Sequence, residues 1–241
     1  MSMGKAALQR LAGKTIFITG ASSGIGKATA LEYANAADGQ VSLILAARRL
    51  DKLQEVKNQL QTQFPSLKCH VGELDVSKSG SIGPFLESLP EDFKDIDILV
   101  NNAGKALGND KVGTIKQQDV TETFDTNVLG MIAITQAVLP IFKKKNSGDI
   151  LFNLVQLLEG MHTQLLKFNL VQLKTEFSIV RNYGDKNKAD EVYKGRKPLY
   201  ADDIAELIVF ATSRKSNTVV AELLVFPTDQ ASASHVYKRP E

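Results

Sequence analysis

Thr15-Ile16-Phe17-Ile18-Thr19, followed at once by Gly20-Ala21-Ser22-Ser23-Gly24-Ile25-Gly26 and then by a helical pattern to about Ala37, decides the fold of this chain of 241 residues. The first five residues are β-branched or aromatic and read as a strand. Gly20 permits a tight turn. Gly24 and Gly26 let backbone N–H groups and the helix N-terminus approach a pyrophosphate. A glycine triplet alone says little, but one set between a first strand and a helix predicts a dinucleotide site, with Thr19, Ser22, Ser23 and Ile25 as further contacts of the same turn.

Outward from this turn the same punctuation repeats. Val41–Ala47 reads as a second strand, nearly all apolar as a strand covered on both faces should be. Leu50–Phe64 is a helical pattern ended by Pro65. Lys68–Leu74 and Ile96–Val100 read as strands with a helix near Ser79–Leu89 between them, and Gln117–Lys145 carries one long helical pattern. Asp149–Leu154 is a fifth strand, Ala201–Thr212 an amphipathic helix and Ala221–Phe226 a last strand. Strands alternating with helices predict an α/β chain, a Rossmann-type, doubly wound, mostly parallel sheet in a single domain over residues 1–241.

Charge narrows the partners. Lys and Arg number 29 against 27 Asp and Glu, and the longest basic run is Lys143-Lys144-Lys145, which suits neither a nucleic-acid nor a membrane surface. A small-molecule ligand is expected, and no metal. The lone cysteine, Cys69, excludes an internal disulfide and fits a reducing compartment, the cytoplasm with the nucleus also open; a buried inert thiol explains it equally well. Met1–Lys14 has no apolar core of signal-peptide length, and no stretch is expected to reach the roughly 20 apolar residues of a membrane span.

The end of the second strand chooses the cofactor. An acidic residue there would accept from a free ribose hydroxyl, whereas arginine binds a 2′-phosphate. Arg48 and Arg49 stand at this place, so NADP(H) is expected; a solvated basic pair capping the strand is the other reading.

Thr19–Gly26, Asn101-Asn102-Ala103-Gly104 after the fourth strand and Asn127 in the long helix together resemble the short-chain dehydrogenases. Ala46-Ala47-Arg48-Arg49, Phe93–Val100 and Ala211-Thr212-Ser213-Arg214-Lys215 look most like the fungal NADP-dependent 3-hydroxy acid, or serine-type, dehydrogenases. The resemblance covers about Lys5–Gly148 and Lys174–Ser232. It implies that Asp75 and Val76 contact the adenine and that Asn102, Ala103 and Gly104 line the cofactor ribose. It also implies that Thr175 joins the cofactor site and that Asn127 holds a water relaying protons.

Between those two stretches the pattern breaks. The family's Ser after the fifth strand, its Tyr-x-x-x-Lys pair and its Pro-Gly are all missing from Asn153–Thr163, and the family's Thr-Glu-Phe resumes at Thr175-Glu176-Phe177. In the family the Tyr is the general base, the Lys depresses its pKa and the Ser polarises the substrate oxygen. Tyr193 and Lys197 share the spacing but follow Thr175 and precede Pro198, so they are read as a decoy; His162 is not read as a substitute base. Written in ordinary codons, the family-like string Gly-Ser-Ile-Ala-Gly-Arg-Asp-Ala-Tyr-Pro-Thr becomes Val155–Leu165 when its first base is dropped, which makes a frameshift the leading explanation. The repeat of Phe-Asn-Leu-Val-Gln-Leu at Phe152–Leu157 and Phe168–Leu173 agrees with it. A genuine Leu-rich helix is the alternative.

Residues 151–173 are therefore expected to be an unmatched segment, with the sixth strand and catalytic helix disrupted, and the chain from about residue 230 to be a tail. Three functional expectations follow. The gene product is an NADP-dependent oxidoreductase of small 3-hydroxy acids or related alcohols such as serine, inactive as written; or it is a non-catalytic NADP(H)-binding protein; or it is an unstable product. The family is usually homo-oligomeric, but the missing helix removes a common association surface.

Overall fold

The computed structural model describes residues 3–108, 113–153, 173–232 and 235–236. Five strands form its main sheet: β1 (Thr15–Thr19), β2 (Ser42–Ala47), β3 (Lys68–Glu73), β4 (Ile98–Asn101) and β5 (Asp149–Phe152). Their order is β3-β2-β1-β4-β5 and every neighbouring pair is parallel, with Ile16 facing Leu43 on one side and Ile98 on the other. Parallel neighbours need long crossovers. These are α2 (Gly24–Ala36), α3 (Leu50–Gln63), the short α4 (Ile82–Glu87) and α5 (Glu91–Lys94), and one long helix between β4 and β5.

Alternation along the strands sorts the core onto two faces. Ile16, Ile18, Leu43, Leu45, Ile98 and Val100 pack with Tyr33, Leu53, Ile204 and Ile208. Phe17, Ile44, Ala46 and Leu99 point the other way, onto Phe85, Ile134, Val138 and Phe142. A strand with both faces covered is apolar through its middle, with polar side chains such as Thr15, Thr19 and Asn101 kept to its ends, which is why β1, β2 and β4 read so plainly. Cys69 is buried here and burial pushes its thiol up to about 12, the inert case.

The long helix is α6 (Gln117–Phe124), a π-helical turn (Asp125–Gly130) and α7 (Met131–Lys145) in one run. Its 29 residues, Gln117–Lys145, are long and apolar enough by length and composition to cross a membrane, which corrects the expectation that no stretch reaches that measure. The reason is a charge-free run from Thr126 to Phe142 between acidic and basic ends. Ile134, Val138 and Phe142 face the core, while Leu129 and Ile132 are exposed.

Beyond β5 the chain is less regular. β6 (Leu173–Lys174) pairs in parallel with β7 (Leu199–Tyr200), and α8 (Glu176–Arg181) and α9 (Lys186–Glu191) lie between them. α10 (Ala201–Thr212) packs on α2, where the hydroxyls of Tyr33 and Thr212 meet at 2.7 Å. An N-terminal helix, α1 (Met3–Leu11), to which the sequence reading assigns nothing, sends Arg10 Nη1 to the Ser213 carbonyl at 3.0 Å.

One expectation is corrected. Ala221–Phe226 is not a strand: it has no ladder partner among the described residues, and Leu223 and Leu224 are exposed. Its β-favouring residues need a neighbour, and among the described residues the sheet ends at β5. Beyond it lies a small antiparallel pair, β8 (Gln230–Ser232) and β9 (His235–Val236). Residues 154–172, with His162 and the frameshift-like stretch Val155–Leu165, lie outside the described residues.

Candidate functional site

The sheet order reverses between β1 and β4, and a crevice opens outside the carboxyl ends of such strands. β1 runs out at Thr19 into Gly20, whose φ is +68°, and Gly24 has φ +52°. A Cβ on Gly20 would lie 2.8 Å from Ala103 Cα; one on Gly26 would lie 2.5 Å from both the Gly20 carbonyl oxygen and Asn102 Nδ2. Those contacts leave room only for hydrogen, so the turn brings its backbone against the loop after β4. Thr19 Oγ1 accepts from the backbone N–H groups of Asn102 and Ala103, each at 3.0 Å. Asn102 Nδ2 donates back to the Thr19 carbonyl at 2.9 Å, and Asn153 Nδ2 donates to Asn102 Oδ1 at 3.1 Å.

Around this joint lies a cleft of about 230 Å³. The glycine turn contributes Gly20, Ser22, Ser23, Gly24 and Ile25, the end of β2 Arg48 and Arg49, and the segment after β3 Asp75 and Val76. Asn102, Ala103 and Gly104 form another wall, with Thr175 opposite. Thr19 and Gly26, expected as direct contacts, lie behind the wall and hold it in shape. Lys105, Thr126, Glu176, Phe177 and Val180 also line the cleft, although sequence reasoning did not assign them. Lys105 directly follows the quoted Asn-Asn-Ala-Gly, and Glu176 and Phe177 sit inside the quoted Thr-Glu-Phe, so adjacency was the available signal.

Several charges in the cleft are paired. Arg49 Nη2 donates to Ser23 Oγ at 2.9 Å, Ser22 Oγ at 3.2 Å and Glu176 Oε2 at 3.0 Å. Burial would raise the Glu176 carboxyl, but hydrogen bonds from Arg49 and Ser23 and the Arg49 charge hold it below its ordinary value. Asp75 behaves likewise: burial pushes it up, and hydrogen bonds from the Ser77 side chain and backbone, with the charges of Arg48 and Lys78, outweigh that and lower it.

Asn127 lies in the π turn one step behind the cleft and is buried. Its Oδ1 accepts from the Lys105 N–H at 2.9 Å and its Nδ2 donates to the Lys105 carbonyl at 2.7 Å. Lys105 Nζ in turn reaches Glu122 Oε2 at 2.7 Å. Tyr193 and Lys197 are not in the cleft. The Tyr193 hydroxyl donates to the Leu173 carbonyl at 2.7 Å and also meets Ser178 Oγ, while the Lys197 N–H is bound to Asp229 at 2.8 Å. Among the described residues that line the cleft there is no tyrosine.

A backbone that admits close approach at Gly20 and Gly24, together with two arginines and two serines at one end, suits a nucleotide carrying phosphate groups. Comparison with known proteins agrees. The family model described as short chain dehydrogenase matches residues 14–155. A protein of Schizosaccharomyces pombe named NADP-dependent 3-hydroxy acid dehydrogenase is 45% identical over 260 aligned positions, covering 96% of this chain and 99% of that protein. Sulfoacetaldehyde reductase 2 of Chromohalobacter salexigens is 31% identical over 253 positions, 93% of this chain and 98% of that one. Among solved structures, the closed form of serine dehydrogenase complexed with NADP+ superposes with a TM-score of 0.75 at 26% identity, covering 94% of this chain and all of the other. With a sheet in the order β3-β2-β1-β4-β5, a glycine turn wedged against Asn102-Ala103-Gly104 and this likeness over nearly its whole length, the chain belongs to the short-chain dehydrogenase family of oxidoreductases.

Proposed function

We propose that this chain binds NADP(H) and represents an oxidoreductase of small 3-hydroxy acids or related alcohols such as serine, and that the polypeptide as written turns none of them over. The observation that carries the cofactor half is the anion end of the cleft, where Arg48 and Arg49 stand beside Ser22 and Ser23. An arginine fork matches a 2′-phosphate, and no carboxylate occupies the end of β2 to accept from a free ribose hydroxyl. The backbone of Gly20–Gly26 would take the pyrophosphate, Asp75 and Val76 the adenine, and Asn102–Gly104 with Thr175 the nicotinamide-side ribose. Bound there, the nicotinamide supplies the hydride acceptor or donor. Asn127, by fixing both backbone groups of Lys105, would hold the floor on which a relaying water sits.

The substrate class follows the names of the relatives. The chain's own residues support the inactivity half. Oxidation of an alcohol needs a group to take the hydroxyl proton, and a tyrosine of ordinary pKa about 10 does this near neutral pH only beside a cation. No tyrosine occurs between Tyr33 and Tyr183, and the Tyr193 hydroxyl serves Leu173 and Ser178. The 260-position alignment with the fission-yeast relative is longer than the 241 residues of this chain, which places gaps on this chain's side. A reducing compartment, a small-molecule partner and no nucleic acid or membrane complete the reading.

Titration of the purified chain with NADPH, followed by an assay of NADP+ reduction with serine and other 3-hydroxy acids, tests both halves. Saturable NADPH binding without turnover is expected; measurable turnover sinks the inactivity half, and absent binding sinks the cofactor half. Sequencing the transcript across the codons for Gly148 to Phe177 then decides the origin of the break. An intact frame restoring Ser, Tyr-x-x-x-Lys and Pro-Gly makes the gene product an ordinary dehydrogenase.

A further inference from the structure

Arg49 is the residue on which a 2′-phosphate would close, yet its Nη2 already holds an oxyanion. Glu176 Oε2 lies 3.0 Å away, and Ser22 and Ser23 share the same nitrogen. The carboxylate reaches this place because Thr175 lies over the glycine turn, its Cβ 3.5 Å from where a Cβ on Gly24 would sit. Glu176 then begins α8, and Thr175 caps it by accepting from the Phe177 N–H at 3.3 Å. The segment that roofs the cleft thus presses its acidic side chain into the anion end. The cleft is correspondingly tight: about 230 Å³, below the roughly 300–1,000 Å³ of sites that enclose a small molecule.

Carboxylate and phosphate seek the same guanidinium donors in the same planar arrangement. We infer that Glu176 is a built-in competitor for the cofactor's 2′-phosphate at Arg49, so that cofactor selectivity is set by Glu176 together with Arg48 and Arg49. The inference rests on the NADP(H) reading above. A 2′-phosphate carries roughly −1.5 to −2 charge near neutral pH and displaces a singly charged carboxylate from one arginine. A nucleotide with a free 2′-hydroxyl has no such anion, and Arg49 stays with Glu176. NADPH binding therefore includes the loss of the Arg49–Glu176 pair, and NADH binding does not. Both side chains are about half exposed, so the pair is a weak one. Exposed pairs of this kind correspond to about a two- to fivefold effect on an equilibrium.

The test is equilibrium titration of the full chain with NADPH and, separately, NADH, at one ionic strength, for the wild type, Glu176→Gln and Glu176→Ala. Thermal unfolding of each verifies that the variants are folded. The expected result is NADPH binding about two- to fivefold tighter in both variants with NADH binding unchanged. NADPH binding that is unchanged or weaker overturns the inference and makes Glu176 a positioning residue that aims Arg49 at the phosphate. Equal tightening of both nucleotides also overturns it, since the carboxylate would then act on the shared pyrophosphate. If neither nucleotide binds the wild type or the variants, the cofactor reading itself falls, and this inference with it.

Discussion

At the scale of single residues the site depends on atoms that are absent. Gly26 has no side chain to offer a ligand, but a Cβ there would meet the Gly20 carbonyl and Asn102 Nδ2 at 2.5 Å. Gly26→Ala must push the glycine turn away from the loop after β4. It should cost about 1–3 kcal/mol, as overpacking does, read as a lower denaturant midpoint, and it should weaken NADPH binding although the new methyl reaches no ligand. An unchanged midpoint would show that the joint gives way freely. Gly26 was legible because a strand, a turn and a helix fixed its place in the order. The hydroxyl of Thr19 was not legible as a brace, because the N–H groups it accepts from lie 83 and 84 residues away. Glu176 was missed for the same reason: only folding brings it to Arg49, 127 residues earlier.

At the scale of elements, legibility tracked burial on both sides. β1, β2 and β4 are apolar or β-branched apart from Ser42 and Asn101 at strand ends, because the sheet leaves their middles no exposed face, and their observed limits fall within about two residues of the expected ones. Ala221–Phe226 has the same composition and is not a strand, since composition specifies a preference and a neighbouring strand must satisfy it. With no ladder partner among the described residues, the segment holds Leu224 62% exposed. Runs of this kind template intermolecular pairing. Leu224→Lys should reduce light scattering on gentle heating while leaving the unfolding midpoint within about 0.5 kcal/mol of the wild type, as substitutions at exposed positions do. A clear loss of stability instead would show that Leu224 packs in solution. The π turn at Asp125–Gly130 was equally invisible, because one long apolar pattern does not reveal where it gains an extra residue per turn.

At the scale of the whole molecule, the described residues before and after the unmatched segment pack directly on each other. α10 lies against α2, Ile204 and Ile208 join the cluster of Tyr33 and Ala34, Tyr33 meets Thr212, and Arg10 holds the Ser213 carbonyl across 203 positions of sequence. The fold class and most of the cleft were legible from the first part, and Thr175 from the second by resemblance; how the second part docks was not, since its registers depend on surfaces the first part must build. Two separate polypeptides, 1–153 and 173–241, expressed together should copurify as a complex, and the longer one expressed alone, with its α2 surface uncovered, should precipitate. If they fail to associate, the intervening stretch is a true part of the architecture. If they do associate, the break has fallen at a natural seam, and a reporter inserted there would split and reunite with the dehydrogenase halves.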